Sequence, residues 1–242
     1  MEIFDLYDAR RRPLGCAMRR GEPVPPGCFH LVSDVLFLNS KGETLLQLRS
    51  HEKANRPDTW SISGGHAVQG EDSAAACRRE VGEELGFLPD MRKGRVLWTK
   101  TSAQQGTIWD VYLFCQDVPE EQMRLQKEEV QAVRWILPEL IARDACLQRD
   151  LSLLAYWGEV YPYLCLESMR IRIPRGVYRH YKGGRYLVEG LALHSETLEP
   201  MVMYRALYGP GEAWVRPAAM WNERVTAEGR EIPRFSWEGE RE

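Results

Sequence analysis

Gly64–Phe87 reads GGHAVQGEDSAAACRREVGEELGF, and the rest of the chain is best read outward from it. The run SAAACRREVGEEL from Ser73 has high helix propensity. Asp72 or Ser73 stands where an N-cap belongs, and Gly86 stands where glycine ends a helix. Within that helix Glu80, Glu83 and Glu84 crowd together, although like charges one turn apart cost a few tenths of a kcal/mol each. With Glu80 set at zero and roughly 100° per residue, Glu84 lies near 40° and Glu83 near 300°, so all three share a face. Ala74, Cys77, Val81, Leu85 and Leu88 gather on the adjoining face, which is expected to meet the core. The carboxylates are therefore expected at the rim of whatever covers the helix. Arg79 lies one turn from Glu83, where it can pair with it.

A solvated acidic face would explain glutamates alone. A carboxylate cluster beside a glycine turn is also what a hard cation needs, because Mg²⁺ takes oxygen ligands, few of them from protein, and shares them with substrate phosphates. The Gly64-Gly65 turn lets a backbone carbonyl come close, which a β-carbon would hinder. The spacing is more specific than the composition. Gly65 is followed after five residues by Glu71, then after seven by Arg79 and Glu80, an aliphatic residue, one more residue, Glu83, Glu84, one residue, Gly86 and Phe87.

That pattern is a complete Nudix box, and the chain resembles Nudix hydrolases over roughly Phe29 to Cys146. The resemblance implies an α/β/α sandwich with a mixed sheet. It also implies hydrolysis of a nucleoside diphosphate linked to another group, with Mg²⁺ or Mn²⁺ as cofactor. Under it, Glu80, Glu83, Glu84 and the carbonyl of Gly65 are metal ligands, and Glu71 and Arg79 hold loop to helix by salt bridging. A further catalytic carboxylate is expected from a later loop. Glu129, six residues before Trp135, is the best match, and Glu128 is the neighbour that would substitute. The general base stays open between the helix and this loop.

The first half narrows the branch. FDLYD near the start, FHLVSDVLFLNSKGETLLQLRS and WSISGGHAVQGED resemble the branch that holds isopentenyl diphosphate isomerases and their hydrolase-like relatives. In those isomerases a cysteine precedes by two residues a histidine that matches His66, and a glutamate pair sits on a later strand. Here the matching positions are Gly64, and Ile108 with Asp110. A hydrolase is expected over an isomerase; a non-catalytic nucleotide sensor is the third reading. His30 and His66 match isomerase metal positions, although a histidine beside a turn is more often only hydrogen-bonded. Arg49, ending the strand LLQLR, is a phosphate-binding candidate or a surface charge, and His66 a substrate-binding candidate. Trp60 and Trp109 could stack on a base, but packing is their expected role.

The remaining signals set the frame. A net charge of −3 offers no electrostatic capture of nucleic acid, and no apolar run is long enough to span a bilayer. The start MEIFDLYDARRRPLG lacks the apolar stretch of a secretory signal, so a cytoplasmic enzyme acting on a small-molecule diphosphate is expected. The six cysteines show no CxxC spacing and are expected as reduced, mostly buried thiols. Oligomeric state stays open, with a homodimer the commonest soluble assembly.

Residues 1–26 read as a polar lead, followed by strand candidates at Phe29–Asn39, Thr44–Ser50, TWSISGG, GRVLWTKTSA, TIWDVYLFCQ and EEVQAVRWI. LPELIARDACL then reads as one helix, and DLSLLAYWGEVYPYLCLE as a second one broken near Pro162. The boundary is expected near Glu167, giving a first domain over 1–166 and a small β-rich domain over 167–242. Gly176 to Val225, with RHYKGG, HSET and YRALYG, resembles a bacterial domain family of unknown function numbered 1653. Tyr178, His180, Tyr181, Arg185 and Tyr204 could line a ligand surface there, but ordinary sheet residues are the expected reading.

Overall fold

The computed structural model describes residues 1–227 and 229–240. Contacts divide the chain into two compact units, Met1–Trp157 and Gly158–Glu242.

The first unit opens with a hairpin, β1 (Ile3–Tyr7) and β2 (Pro13–Arg19). Next come β3 (His30–Leu38), β4 (Thr44–Arg49), β5 (Trp60–Ser61) and β6 (Ser63–His66). Helix α1 (Ser73–Leu85), β7 (Gly94–Ser102), β8 (Thr107–Cys115) and β9 (Val130–Ile136) follow. The short helices α2 (Pro138–Ile141) and α3 (Ala145–Ser152) end the unit. The sheet runs β5-β4-β3-β8-β7, with β6 on β3 and β9 on β4. It is mixed: β3 and β8 pair in parallel, from His30↔Thr107 to Leu38↔Cys115, and β7 pairs β8 antiparallel.

Strand β3 is apolar on both faces because both are covered. Val35 and Phe37 pack with Tyr112 and Phe114 of β8 against Cys77, Val81 and Leu85 of α1. Leu36, Leu38, Val111 and Leu113 point the other way and are equally buried. On α3, Asp150 accepts a hydrogen bond from the Trp60 amide at 3.0 Å and ties that helix to β5. The result is the expected mixed α/β sandwich.

Asp72 is the N-cap of α1, accepting from the Ala75 amide at 2.8 Å. Ser73 is turned instead to the Tyr112 hydroxyl at 3.0 Å. Gly86 takes a left-handed φ of 73° and ends the helix. The chain has turned away by Leu88, which is exposed rather than part of the core.

Three local expectations are revised. Residues 1–26 are not a featureless lead, since they form the hairpin, whose Phe4, Leu6 and Met18 make a small core. The stretch after Leu137 is two helices, because Asp144 caps the Cys146 and Leu147 amides at 3.0 and 3.1 Å and restarts the helix. Helix α4 (Trp157–Arg172) passes Pro162 without a break. Only the bond to the Gly158 carbonyl, near the helix start, is lost. Glu167 lies within this helix, and the contact division falls at Trp157/Gly158.

The second unit also holds β10 (Gly176–His180), β11 (Arg185–Leu193), β12 (Pro200–Ala206), β13 (Ala213–Pro217), α5 (Ala218–Trp221), β14 (Arg224–Ala227), β15 (Arg230–Pro233) and β16 (Phe235–Gly239). Its sheet runs β13-β12-β11-β10-β16, and β14 and β15 form a separate ribbon. Its core joins Met169 of α4 and Ile173, just past the end of that helix, to Tyr178, Val188, Val202, Trp221 and Phe235, with the Trp221 and Phe235 rings stacked 3.8 Å apart. This is the small β-rich module expected. None of the six cysteines is in a disulfide; Cys77 is buried, while Cys16, Cys115 and Cys146 are exposed, so most are not core residues.

A Cβ at Gly86 would lie 2.5 Å from the Arg124 carbonyl, in a backbone conformation that β-carbons disfavour. Gly86→Ala is expected to cost more than about 1 kcal/mol, read as a shifted midpoint in urea unfolding.

Candidate active site

Two glycines bring helix and sheet together. β6 pairs with β3 so that Gly64 faces Asp34 and Gly65 faces Ser33. A Cβ on Gly64 would sit 2.3 Å from Asp34 Oδ1 and 2.5 Å from the Ser33 carbonyl. A Cβ on Gly65 would sit 2.2 Å from Glu80 Oε1. Bare backbone is therefore what lets the α1 carboxylates approach β6.

Arg79 fixes their positions. Its Nε and Nη2 donate to Glu71 at 2.8 and 3.1 Å, and Nη2 also donates to the His66 carbonyl at 3.0 Å. Its Nη1 donates to Glu80 at 2.9 Å and to Glu83 at 3.0 Å. Glu71 also accepts from the Val68 amide at 3.0 Å, so the loop is tied to the helix at both ends of one side chain.

The three helix carboxylates are not equivalent. Glu83 is largely exposed and Glu80 mostly buried. Glu84 is buried, not at the rim as its helical angle implied. Its Oε2 accepts from Gln47 Nε2 at 3.1 Å and from the Gly64 amide at 3.3 Å. Burial, with the charge of Glu80 behind it, pushes the Glu84 carboxyl up to about 8. Glu80 is raised too, by burial against the pull of Arg79.

These groups line a cleft of about 960 Å³, which Glu128, Glu129, Arg49, Lys53 and Arg56 share. Glu129 is ion-paired with Lys53. The Arg49 guanidinium donates to the Asn55 carbonyl at 3.1 Å, and burial followed by the nearby Arg56 charge lowers its pKa. Among the described residues no three acidic, histidine or cysteine side chains converge tightly enough to hold a metal ion. Arg79 pairs with Glu80 and Glu83, and Lys53 with Glu129. The donor set still fits a hard divalent cation, being all oxygen, with Gly65 backbone within a β-carbon's reach of Glu80.

Residues 29–155 match the NUDIX domain family. The chain belongs to the Nudix hydrolase family. An uncharacterized Nudix hydrolase of Listeria monocytogenes, lmo0368, is 36% identical over 171 residues, spanning 70% of this chain and 94% of its own. The isopentenyl-diphosphate Delta-isomerase of Streptomyces coelicolor is 31% identical over 149 residues, spanning 59% of this chain and 75% of its own. The crystal structure of DR0079 from Deinococcus radiodurans superposes with a TM-score of 0.50 at 26% identity, covering 59% of this chain and 88% of that one. Residues 176–237 match the protein family of unknown function DUF1653.

In this Nudix hydrolase Ile108 packs with Phe29, Leu31, Ala67 and Ala76. Asp110 is buried between Arg11 and the Thr99 hydroxyl, the latter at 2.9 Å. Both point to the face of β8 opposite Trp109, which lines the cleft. Trp109 is thus a wall rather than core filler, while Trp60 packs beneath the Arg134 guanidinium at 4.9 Å. His30 and His66 stand 3.3 Å apart at Nδ1, and Phe4 of the hairpin stacks on both, at 5.2 and 5.0 Å. His30 is buried, whereas His66 also borders the cleft. Burial and then the neighbouring His30 bring His66 down to about 4.

Sequence reasoning missed the cleft cations Lys53 and Arg56, and also Asp34 and Tyr156. Asp34 on β3 accepts a hydrogen bond from the Tyr156 hydroxyl, and burial raises it to about 6. Tyr156 leans on Trp98 at 5.2 Å and on Trp109 at 5.9 Å. A lone acid inside the apolar run HLVSDVLFL was the available signal for Asp34. Tyr156 lay in a stretch read as helix and carried none. In the second unit, Tyr178 donates to the Pro174 carbonyl at 2.9 Å, Arg185 to Glu238 at 2.7 Å, and His180 packs between Tyr181 and Phe235.

Phe4→Ala removes the ring that covers His66. The His66 pKa is then expected to move up from about 4 toward its ordinary value as water reaches the ring, followed by the NMR shift of its Hε1 proton through a pH series.

Proposed function

We propose that the chain is a Mg²⁺-dependent pyrophosphohydrolase that cleaves the diphosphate linkage of a nucleoside diphosphate-linked or related small molecule. The observation that carries this reading is the union, in one cleft, of the Glu80, Glu83 and Glu84 carboxylates with the Arg49, Lys53 and Arg56 cations. A divalent cation held by those carboxylates and the Gly65 carbonyl would supply a Lewis acid for phosphoryl oxygens and an acidified water.

The protein's own groups divide the remaining work. Arg49, Lys53 and Arg56 offer positive charge to the diphosphate oxygens. Arg79 holds Glu80 and Glu83 in fixed rotamers, so little reorganisation is needed when substrate binds. Gln47, itself accepting from Ser63 Oγ at 2.7 Å, holds Glu84 from beneath. Glu129 borders the same cleft, and either it or a helix carboxylate takes the proton from the attacking water.

The isomerase reading draws on the Streptomyces coelicolor relative's name, yet the site argues against it for this chain. That chemistry needs a proton donor where Gly64 stands, and a β-carbon at Gly64 collides with Asp34 and the Ser33 carbonyl. The carboxylate at the other expected position, Asp110, is turned away from the cleft and neutralised by Arg11.

Phosphate release from a panel of nucleoside diphosphate compounds with Mg²⁺ tests the reading, comparing wild type with Glu83→Gln. Isopentenyl diphosphate belongs in the panel, with its product checked for isomerisation. Turnover of at least one compound, slowed ~100-fold or more in the variant with an unchanged melting temperature, is expected, because Glu83 is exposed and carries little packing. Isomerised product, or tight binding of a nucleotide without turnover, would replace the hydrolase reading with the isomerase or a sensor.

Glu84 offers a separate check. Its folded pKa lies above its unfolded one, so its contribution to stability is present below pH ~4.5 and is lost as pH rises through about 8. Glu84→Gln should abolish turnover. It should also stabilise the cation-free protein at pH 8, by about 1–3 kcal/mol, and leave it unchanged at pH 4 in denaturant titrations.

A further inference from the structure

The second unit contains a cavity that the proposed hydrolysis does not use. It encloses about 280 Å³ and is lined by Tyr186, Tyr204, Tyr208 and Trp214, with Glu212 among the residues around it. The rings are arranged as a box. Tyr204 and Tyr208 stand at 77° and 75° to Tyr186, each with its centroid 5.5 Å away. Trp214 is the cross-strand partner of Tyr204, so it projects from the same sheet face as the next wall. The Tyr186 and Tyr208 hydroxyls bond to each other at 2.5 Å, one donating and the other accepting, which fixes the corner. Gly184 packs against that corner, where a Cβ would lie 3.1 Å from the Tyr186 hydroxyl and 3.2 Å from the Tyr208 ring. Trp214 is 57% exposed and Tyr208 54%, a large area of aromatic surface left to water at a cavity mouth.

We propose that this box is a binding site for a compact organic cation, a quaternary or methylated ammonium group. Three features select that chemistry. Aromatic faces attract a cation through the ring quadrupole, and the attraction grows when the cation is enclosed on several sides. Among the described residues lining the cavity, Glu212 alone is charged, and its sign suits a cation. The near-perpendicular walls wrap a rounded group, whereas a flat nucleobase is gripped by parallel rings and would bring its phosphate toward Glu212. The same domain already places cations on rings, with Arg216 over Phe235 at 5.7 Å and Lys182 over Tyr181 at 5.6 Å. Neither Arg216 nor Lys182 lines the box, which leaves it open to a cation from outside.

The test is isothermal titration calorimetry on the full-length protein with four probes. These are tetramethylammonium, choline, the neutral choline isostere 3,3-dimethylbutanol, and a short peptide bearing trimethyllysine. Choline is expected to bind at least about tenfold more tightly than the neutral alcohol. Trp214→Ala should remove ammonium binding, and Glu212→Gln should weaken it several-fold without changing the response to the alcohol. Both substitutions lie at the surface and should leave the melting temperature unchanged. Preference for choline assigns a free small molecule and preference for the peptide assigns a modified side chain; either supports the shared chemistry. Equal affinity for the alcohol would reduce the box to an apolar hollow and overturn the proposal. Absence of heat with every ammonium probe, or ammonium binding that survives Trp214→Ala, would overturn it as well.

Discussion

The Arg79 guanidinium is the knot of the first unit. It meets Glu71, Glu80, Glu83 and the His66 carbonyl at once, so one side chain fastens the loop, the end of β6 and the acidic face of α1. A lysine could not do this. Its ammonium is a point charge, whereas these acceptors are distributed around a planar fork. The bonds also answer the electrostatic problem of the site. Three carboxylates on one helix face would repel and scatter, and a fixed positive charge between two of them keeps them where a cation can use them.

The same region holds stability below what the fold could reach. Glu84 is buried beside other acids, and its burial, with the charge of Glu80 added, pushes its carboxyl up to about 8. A glutamine there would keep the contacts with Gln47 and Gly64 and remove the charge. On the proposed mechanism the carboxylate is there for chemistry rather than for folding. The glycine pair belongs to the same argument. Residues 64 and 65 lie where a strand would gain from side chains, yet any β-carbon would strike Asp34 or Glu80. Two local preferences are set aside at one place, and both exceptions serve the approach of helix to backbone.

What was legible in the sequence follows from how local each feature is. Helix α1, its cap at Asp72 or Ser73, its end at Gly86 and the sheet strands around it depend on neighbours a few residues apart, and the text shows them. The β1–β2 hairpin was hidden because its alternation is short and interrupted by DARRR, and because its value lies in covering His30 and His66 far along the chain. The burial of Glu84 was also invisible. The helical angle places it beside the core, but only the position of Gln47 and Gly64 decides that it is under the sheet edge rather than at the rim. Trp109 was misjudged for a similar reason. Tryptophan is usually packing, and alternation along β8 gives it a face without saying whether that face is filled.

The residues outside the box explain why the box alone names a chemistry and not a substrate. Its glutamates come from one helix, but the cleft walls come from the hairpin through Glu2 and Arg20, from the loop holding Lys53 and Arg56, and from Trp109 and Tyr156. None of these is fixed by the spacing that orders the carboxylates. Asp34 lies between the two sets, on β3 opposite Gly64 of β6 yet bonded to Tyr156 beneath Trp98 and Trp109. It therefore joins the glycine-bearing part of the site to the aromatic wall. A prenyl chain laid across that wall would leave the Asp34 carboxylate without a partner from the ligand, while a polar group would meet one, and that asymmetry is large for a buried acid. On the proposed hydrolysis, the box supplies the carboxylates that serve the diphosphate, and the hairpin, the cationic loop and the aromatic wall face what is attached to it.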